Sequence, residues 1–374
     1  MAGFVLTPTT ARAQLRLSGQ VGFRAEYMGN ENFAENDATR DDDHRMRWRA
    51  RVRLAGNYAV SERVGLGFRL STGSTTYPSS GWSTLGDDFR RDQISLDRAY
   101  LDYEASELLS LHFGFNGNAL FRPTELVWDG DVSPGGFTQV WTSGGVELVT
   151  GQYMLRELRS LRPTREESSY FLANGLSYRW GEGASYRLGA FSYIYTNPNS
   201  LATAIEGGQL DSDFKTNRFA PDDPEAFFSD YDIYGGSFSY SRGDWAFASE
   251  VSVNLGAEDD ATLGEQYADK EHLAFVSLIT YGSLGDPGSW NITAGYAHIE
   301  ADGLVAAFNS DDLQQTNVNT VPIWVRAQLP GDARLVWDTY VQSKADEALA
   351  SNGGIFHDEN ATKIRTRLTI QANF

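Results

Sequence analysis

Between Arg45 and Val60 the chain reads Arg-Met-Arg-Trp-Arg-Ala-Arg-Val-Arg-Leu-Ala-Gly-Asn-Tyr-Ala-Val. One parity holds Arg45, Arg47, Arg49, Arg51 and Arg53; the other holds Met46, Trp48, Ala50, Val52, Leu54, Gly56, Tyr58 and Val60. Successive side chains of a β-strand point to opposite faces, so the stretch makes a ribbon with one cationic and one apolar face. On a helix, residues two apart sit about 200° around the axis, which would smear the arginines over the whole circumference. The stretch is a strand. Two settings suit it. In a soluble sandwich the apolar face meets a core and the arginines meet bulk water; in a membrane barrel the apolar face meets lipid and the arginines face a water-filled lumen.

Composition narrows the choice. Hydrophobic residues make up 41% of the chain and mean hydropathy is −0.40. No run of about 18 apolar residues exists to span a bilayer as a helix. A transmembrane barrel stays open, because only alternate residues need be apolar. The aromatic content of 13% suits the interfacial girdles of such a barrel, and equally a carbohydrate-binding β protein. Cysteine is absent, which removes thiol catalysis, cysteine metal sites and disulfides together. A net charge of −19 argues against nucleic acid, which is bound through Lys and Arg that displace counterions. The acids cluster between strand-like runs, at Asp41-Asp42-Asp43, Asp87-Asp88, Asp222-Asp223, Glu258-Asp259-Asp260, Asp311-Asp312 and Asp358-Glu359. Solvated external loops are the plain reading; cation bridges to lipopolysaccharide are the sharper one.

Along the chain one rhythm recurs: strand, short turn, strand, long polar loop. Runs 94–104 and 109–117 pair across four residues, 170–180 and 184–195 across three, and 231–240 and 245–255 across Ser241-Arg242-Gly243-Asp244. Similar pairs follow at 273–281 with 290–299, and at 321–329 with 335–341. Transmembrane barrels alternate short periplasmic turns with long external loops in this way, and soluble sandwiches do not. Leaving 118–168 as one loop gives about fourteen strands and an overlong structureless segment. Pairing 137–143 with 146–155 across Gly144-Gly145 gives about sixteen, the count adopted here, with eighteen as the further even alternative. No composition break divides residues 14–374, which are read as a single barrel domain. Residues 1–13 end in Ala11-Arg12-Ala13, an A-x-A pattern read as the remnant of a signal peptide. The last strand alternates Ile364, Leu368, Ile370, Ala372 and Phe374 against Lys363, Arg365, Arg367, Gln371 and Asn373. A strand of this kind ending in Phe resembles the C-terminal signal read by the outer-membrane assembly machinery.

One segment narrows the family. Phe121-Arg122-Pro123-Thr124-Glu125-Leu126-Val127-Trp128-Asp129-Gly130-Asp131-Val132-Ser133-Pro134-Gly135-Gly136 follows a strand ending Phe113-Gly114-Phe115-Asn116-Gly117. Leu126 to Gly136 fits an L-x-W-D-x-D-x-x-P-x-G pattern and resembles the putative-porin family of proteobacterial outer membranes, related in architecture to alginate-export barrels. The strand Leu96-Asp97-Arg98-Ala99-Tyr100-Leu101-Asp102-Tyr103 is similar to the family's corresponding strand. The resemblance implies an all-β, up-and-down antiparallel barrel in the outer membrane of a Gram-negative bacterium.

In such a barrel the polar parity faces water. The expected pore-lining set is Arg16, Arg24, Arg45, Arg47, Arg49, Arg51, Arg53, Arg63, Arg69, Lys363, Arg365 and Arg367. Closure of the last strand onto the first would join these into a cationic wall, with Lys363, Arg365 and Arg367 beside Arg16 and Arg24. Opposing carboxylates are expected from Asp97, Asp102, Glu125, Asp129 and Asp131. Glu125, Trp128, Asp129 and Asp131 mark a constriction loop if the segment from Asn118 to Gly136 folds inward. A basic wall favours anions; the plainer reading is that these arginines only keep a lumen wet. His44, His112, His272, His298 and His357 show no metal-ligand spacing, and no catalytic, cofactor or metal site is expected. Trp128-Asp129-Gly130-Asp131 lacks the ligand series of a calcium loop and reads as loop packing. The expectation is a non-enzymatic porin passing small hydrophilic or anionic solutes, in contact with outer-membrane lipid and lipopolysaccharide, as a possible homotrimer. Alternatives are an export channel for an anionic polysaccharide, a structural or adhesive surface barrel, and a secreted soluble β protein.

Overall fold

The computed structural model describes residues 15–29, 44–86, 92–156, 169–313, 315–346 and 362–374. The 1–13 segment, the acidic clusters at 41–43, 87–88 and 358–359, and His357 lie outside them.

Sixteen strands form one closed antiparallel barrel. The first five are β1 Leu15–Gly29, β2 His44–Ala59, β3 Val64–Thr72, β4 Ile94–Ser106 and β5 Leu109–Phe115. Next come β6 Gly135–Ser143, β7 Val146–Arg156, β8 Ser169–Trp180, β9 Ser185–Thr196, β10 Asp232–Arg242 and β11 Trp245–Asn254. The wall is completed by β12 Leu273–Gly282, β13 Trp290–Ile299, β14 Val318–Gln328, β15 Ala333–Lys344 and β16 Lys363–Asn373. Each strand pairs with its neighbours in sequence, and β1 pairs with both β2 and β16, which closes the ring. Gly19 exchanges both backbone hydrogen bonds with Phe374, at 2.8 and 3.0 Å. A closed ring leaves no strand edge, and that is what lets a sheet sit in hydrocarbon.

Short turns gather at one end and long loops at the other. The turn across Gly144-Gly145 has φ of +55° and +87°, which the twist of a two-residue hairpin demands and glycine supplies without strain. Leu15, Leu17, Phe23, Met46, Trp48, Val52, Ile94, Leu188, Val251, Ile279, Leu335, Leu368 and Ile370 all point outward and are exposed. Tyr178, Trp180, Tyr186 and Tyr240 stack in series near the turn end, and Trp245, Tyr281 and Trp290 continue the belt. An apolar band bordered by aromatic rings is the surface of a lipid-embedded barrel, which settles the choice left open by the arginine strand.

The hydrophobic core lies inside the barrel, and loops supply much of it. The connections 116–134, 197–231 and 300–317 fold inward against β7 to β10. Trp128, 1% exposed, stacks on Phe171 of β8, Tyr193 of β9 and Phe308 of the 300–317 loop, with centroids 5.1, 5.7 and 5.1 Å away. Helix α1, Asn199–Glu206, adds Leu201, Ala202 and Ile205 to the same cluster. Arg218 ties three loops together. Its Nε donates to Asp302 at 2.8 Å, Nη2 donates to Glu258 O at 2.8 Å, and Nη1 donates to Asp269 O at 3.0 Å. Asp302 is held in turn by Ser229 Oγ at 2.6 Å. A buried ion pair needs these extra partners, because its Coulombic gain alone does not offset the lost hydration.

Candidate functional site

The charged side of the lumen runs from β15 through β16 and β1 to β3. Register decides what faces what. Asp338, Arg367, Glu26 and Arg47 are level across four strands, because Asp338 pairs with Arg367, Arg367 with Glu26 and Glu26 with Arg47. At that level the wall alternates in sign, whereas an unbroken cationic surface was expected. Arg47 hydrogen-bonds Glu26, and Arg49 Nη1 lies 3.7 Å from the same carboxylate. Arg367 hydrogen-bonds Asp338 and receives Asp312 of the 300–317 loop at 2.5 Å. Like charges stacked on one strand repel; interleaved acids let the ladder exist.

Three loops come down onto this wall. In the 73–86 loop, Ser83–Thr84 pairs with Arg49 and Ala50 of β2, and this carries Trp82 into the lumen. Trp82 lies between Arg24 and Arg51, whose guanidinium carbons are 4.0 and 4.6 Å from its ring. Arg49 Nη2 donates to Trp82 O at 2.8 Å. Gly22 makes the seat: a Cβ there would lie 2.9 Å from the indole. The 116–134 loop brings Asp131 to 2.6 Å from Arg53 Nη2 and 3.7 Å from Arg51 Nη1. From the 300–317 loop, Asp312 approaches Arg367 and Arg365, and Arg365 Nη2 donates to the carbonyls of Asp311 and Asp312 at 3.0 and 2.7 Å.

Several expectations need correction. Arg16 lies at the turn end and Lys363 at the loop end, since the antiparallel register ends with Gly19 opposite Phe374; the two are not neighbours. Arg45 and Arg63 are exposed near opposite ends of the barrel. Arg69 bonds Asp97 within the wall, and Asp102 faces His112 Nδ1 at 2.6 Å, so neither acid opposes the ladder. The segment from Asn118 to Gly136 does fold inward, but only Asp131 of its acids meets an arginine of the ladder. Glu125 accepts from Gly130 N at 3.2 Å. Asp129 is buried and accepts from Asp131 N at 2.7 Å. Trp128 anchors the loop to the far wall and lines no passage. Of the acidic loop clusters, Asp222, Asp223, Glu258 and Asp259 stay exposed, whereas Asp311 and Asp312 are drawn inside. Glu26 and Asp338 were legible as acids on inward parities. Trp82 and Asp312 carry no local signal, because loop folding places them.

Charge states in the loops follow from this packing. Burial alone would raise the Asp131 carboxyl, but Arg53 and Arg51 outweigh it and hold it below the usual carboxylate range. Asp312 is likewise held low against its burial by Arg367 and Arg365. Burial and then its neighbour Asp312 push Asp311 up to about 6. Desolvation among the inward loops, and then Asp312 and Asp131, raise Glu125 to about 7. Asp129 is raised well above its ordinary value by burial and by Glu125.

A sixteen-stranded barrel with an apolar belt, inward loops and a polar wall defines the class: an outer-membrane barrel of porin type. A family model described as "Putative porin" matches residues 18–154, from β1 into β7, so the resemblance read from the 121–136 segment is borne out there. Among solved structures, Salmonella typhi OmpF in complex with daunomycin is similar with a TM-score of 0.56 at 10% identity, covering 97% of this chain and 98% of that one. Two variants of the Rh. blastica porin each match with a TM-score of 0.50 at 12% identity, covering 96% of this chain and 100% of theirs. At such identities the likeness is one of fold. No curated protein matches the chain.

Proposed function

We propose that this barrel is a passive diffusion channel for small hydrophilic solutes, with a preference for anions set by the arginine wall. The observation that carries the reading is the asymmetry of the lumen. Against β7 to β10 the interior is packed with buried rings and loop backbone. Along β15, β16, β1 and β2 it is charged, and on β2 water reaches it: the side chains of Arg47, Arg49, Arg51 and Arg53 are 19, 11, 15 and 15% accessible. A route bounded on one side by guanidinium groups favours anions through their field, with weak binding that still lets them leave. The inward loops favour small solutes over export of an anionic polysaccharide. The apolar belt is, in this reading, the surface that meets lipid and lipopolysaccharide and the one a homotrimer would partly bury.

Single-channel recording in a planar bilayer tests the proposal. Discrete conductance steps with anion preference in a KCl gradient are expected. Absence of any steps from correctly folded, heat-modifiable protein would contradict it and leave the structural or adhesive barrel in its place.

A further inference from the structure

Three pairs of arginines on the wall each share one carboxylate. Arg47 and Arg49 share Glu26, Arg47 Nε bonding one carboxylate oxygen while Arg49 Nη1 lies 3.7 Å from the other. Arg51 and Arg53 share Asp131 in the same manner, Arg53 Nη2 at 2.6 Å from Oδ1 and Arg51 Nη1 at 3.7 Å from Oδ2. Arg365 and Arg367 share Asp312, at 3.7 and 2.5 Å, and the Tyr340 hydroxyl donates to its second oxygen at 3.1 Å. Alternate residues on one strand face lie about 6.6 Å apart, so two guanidinium groups converge on a gap of carboxylate size. The planar fork of a guanidinium matches the two oxygens of a carboxylate, which a spherical anion cannot engage.

The three carboxylates differ in who holds them. Glu26 belongs to the wall, on β1, and is fully buried, so its pair is permanently filled. Asp131 and Asp312 belong to loops and keep 21 and 31% of their side-chain surface accessible. Arg365 and Arg367 keep only 7 and 2% of their own side-chain surface accessible, and Asp338 of the wall also holds Arg367, so that pair is closed as well. Arg51 and Arg53 are each 15% accessible, and Asp131 occupies them as a dissolved carboxylate would.

We infer that Arg51 with Arg53 is a binding station for the carboxylate of a small organic anion, whose resident occupant Asp131 it displaces in passing. This rests on the barrel being an anion-preferring pore. Exchanging one carboxylate for another is close to balanced, which keeps the binding weak enough for release.

The test is block of single-channel chloride current by titrated acetate, succinate and iodide. Acetate is expected to block at lower concentration than iodide, a spherical anion of the same charge, and succinate more strongly than either. Arg51→Lys with Arg53→Lys keeps the charge and loses the fork. Carboxylate block relative to iodide block should then weaken by about fivefold. Asp131→Asn removes the resident competitor and should tighten carboxylate block by a similar factor. Block that follows charge alone, with the lysine variant shifting every anion alike, would overturn the station. So would iodide blocking as strongly as acetate. An absence of anion preference in KCl alone is a separate result, and it would overturn the pore reading beneath.

Discussion

The two halves of the lumen are built on the same strand pattern and end up opposite in character. In β2 the inward parity is arginine, and the interior beside it stays wet. In β8 and β9 the inward parity carries Phe171, Phe191, Tyr193 and Tyr195, all buried under loops. Inward aromatic rings exposed to lumen water would forgo a burial free energy of about 2 kcal/mol each, so loops fold in to cover them. Inward guanidinium groups draw loops in as well, through carboxylates and backbone carbonyls, and along β2 those contacts stay within reach of water. The aromatic half is scaffold and the arginine half is site.

The sharpest way to break this contrast is at its anchor. Trp128→Ala removes the ring stacked on Phe171, Tyr193 and Phe308 and should cost the packed loops about 3 to 5 kcal/mol. The expected outcome is larger, noisier single-channel conductance and a lower temperature for the shift in gel mobility on heating. Next in size is Arg218→Met, which leaves Asp302 buried without its cation at a cost of about 3 kcal/mol. Limited proteolysis of intact cells or proteoliposomes should then cut within 197–231, 255–272 or 300–317, where the parent resists.

A change of pH acts on the other half. Asp311 and Glu125 are raised to about 6 and about 7, so both are charged at pH 8 and neutral at pH 4.5. Asp131 and Asp312, held low, stay charged through that window. Falling pH thus removes negative charge near the arginines while leaving their loop partners in place, and anion preference should rise. Glu125→Gln should flatten the upper part of that rise, measured by reversal potential from pH 8 to 4.5. The smallest effect belongs to Trp82→Leu. Losing a ring held between two guanidinium groups is worth about 1 kcal/mol, and the permeability ratio should move by less than about twofold.

Much of the barrel was legible because a period of two is a strong signal. Strand count, the Gly144-Gly145 turn and closure through the final strand all follow from alternation and turn chemistry. The filled half also leaves a trace: β9 is apolar on both parities, with Leu188 and Ile194 outward and Phe191, Tyr193 and Tyr195 inward, as a strand covered on both faces must be. What alternation does not carry is register between distant strands and the path of a loop. The row Asp338, Arg367, Glu26 and Arg47 depends on how β15, β16, β1 and β2 align. Asp312 and Trp82 depend on where long loops descend, which tertiary packing decides.

The most direct measurement is the reversal potential in a KCl gradient for Arg51→Gln with Arg53→Gln, set against Arg187→Gln. Arg187 also points inward, but it is paired with Glu147 and stacked on Phe121, on the scaffold side. The wall variant should reduce the anion-to-cation permeability ratio by about threefold or more, and the Arg187 variant should leave it near the parent value. Equal shifts in both, or none in the wall variant, would contradict an arginine wall that sets the selectivity of this barrel.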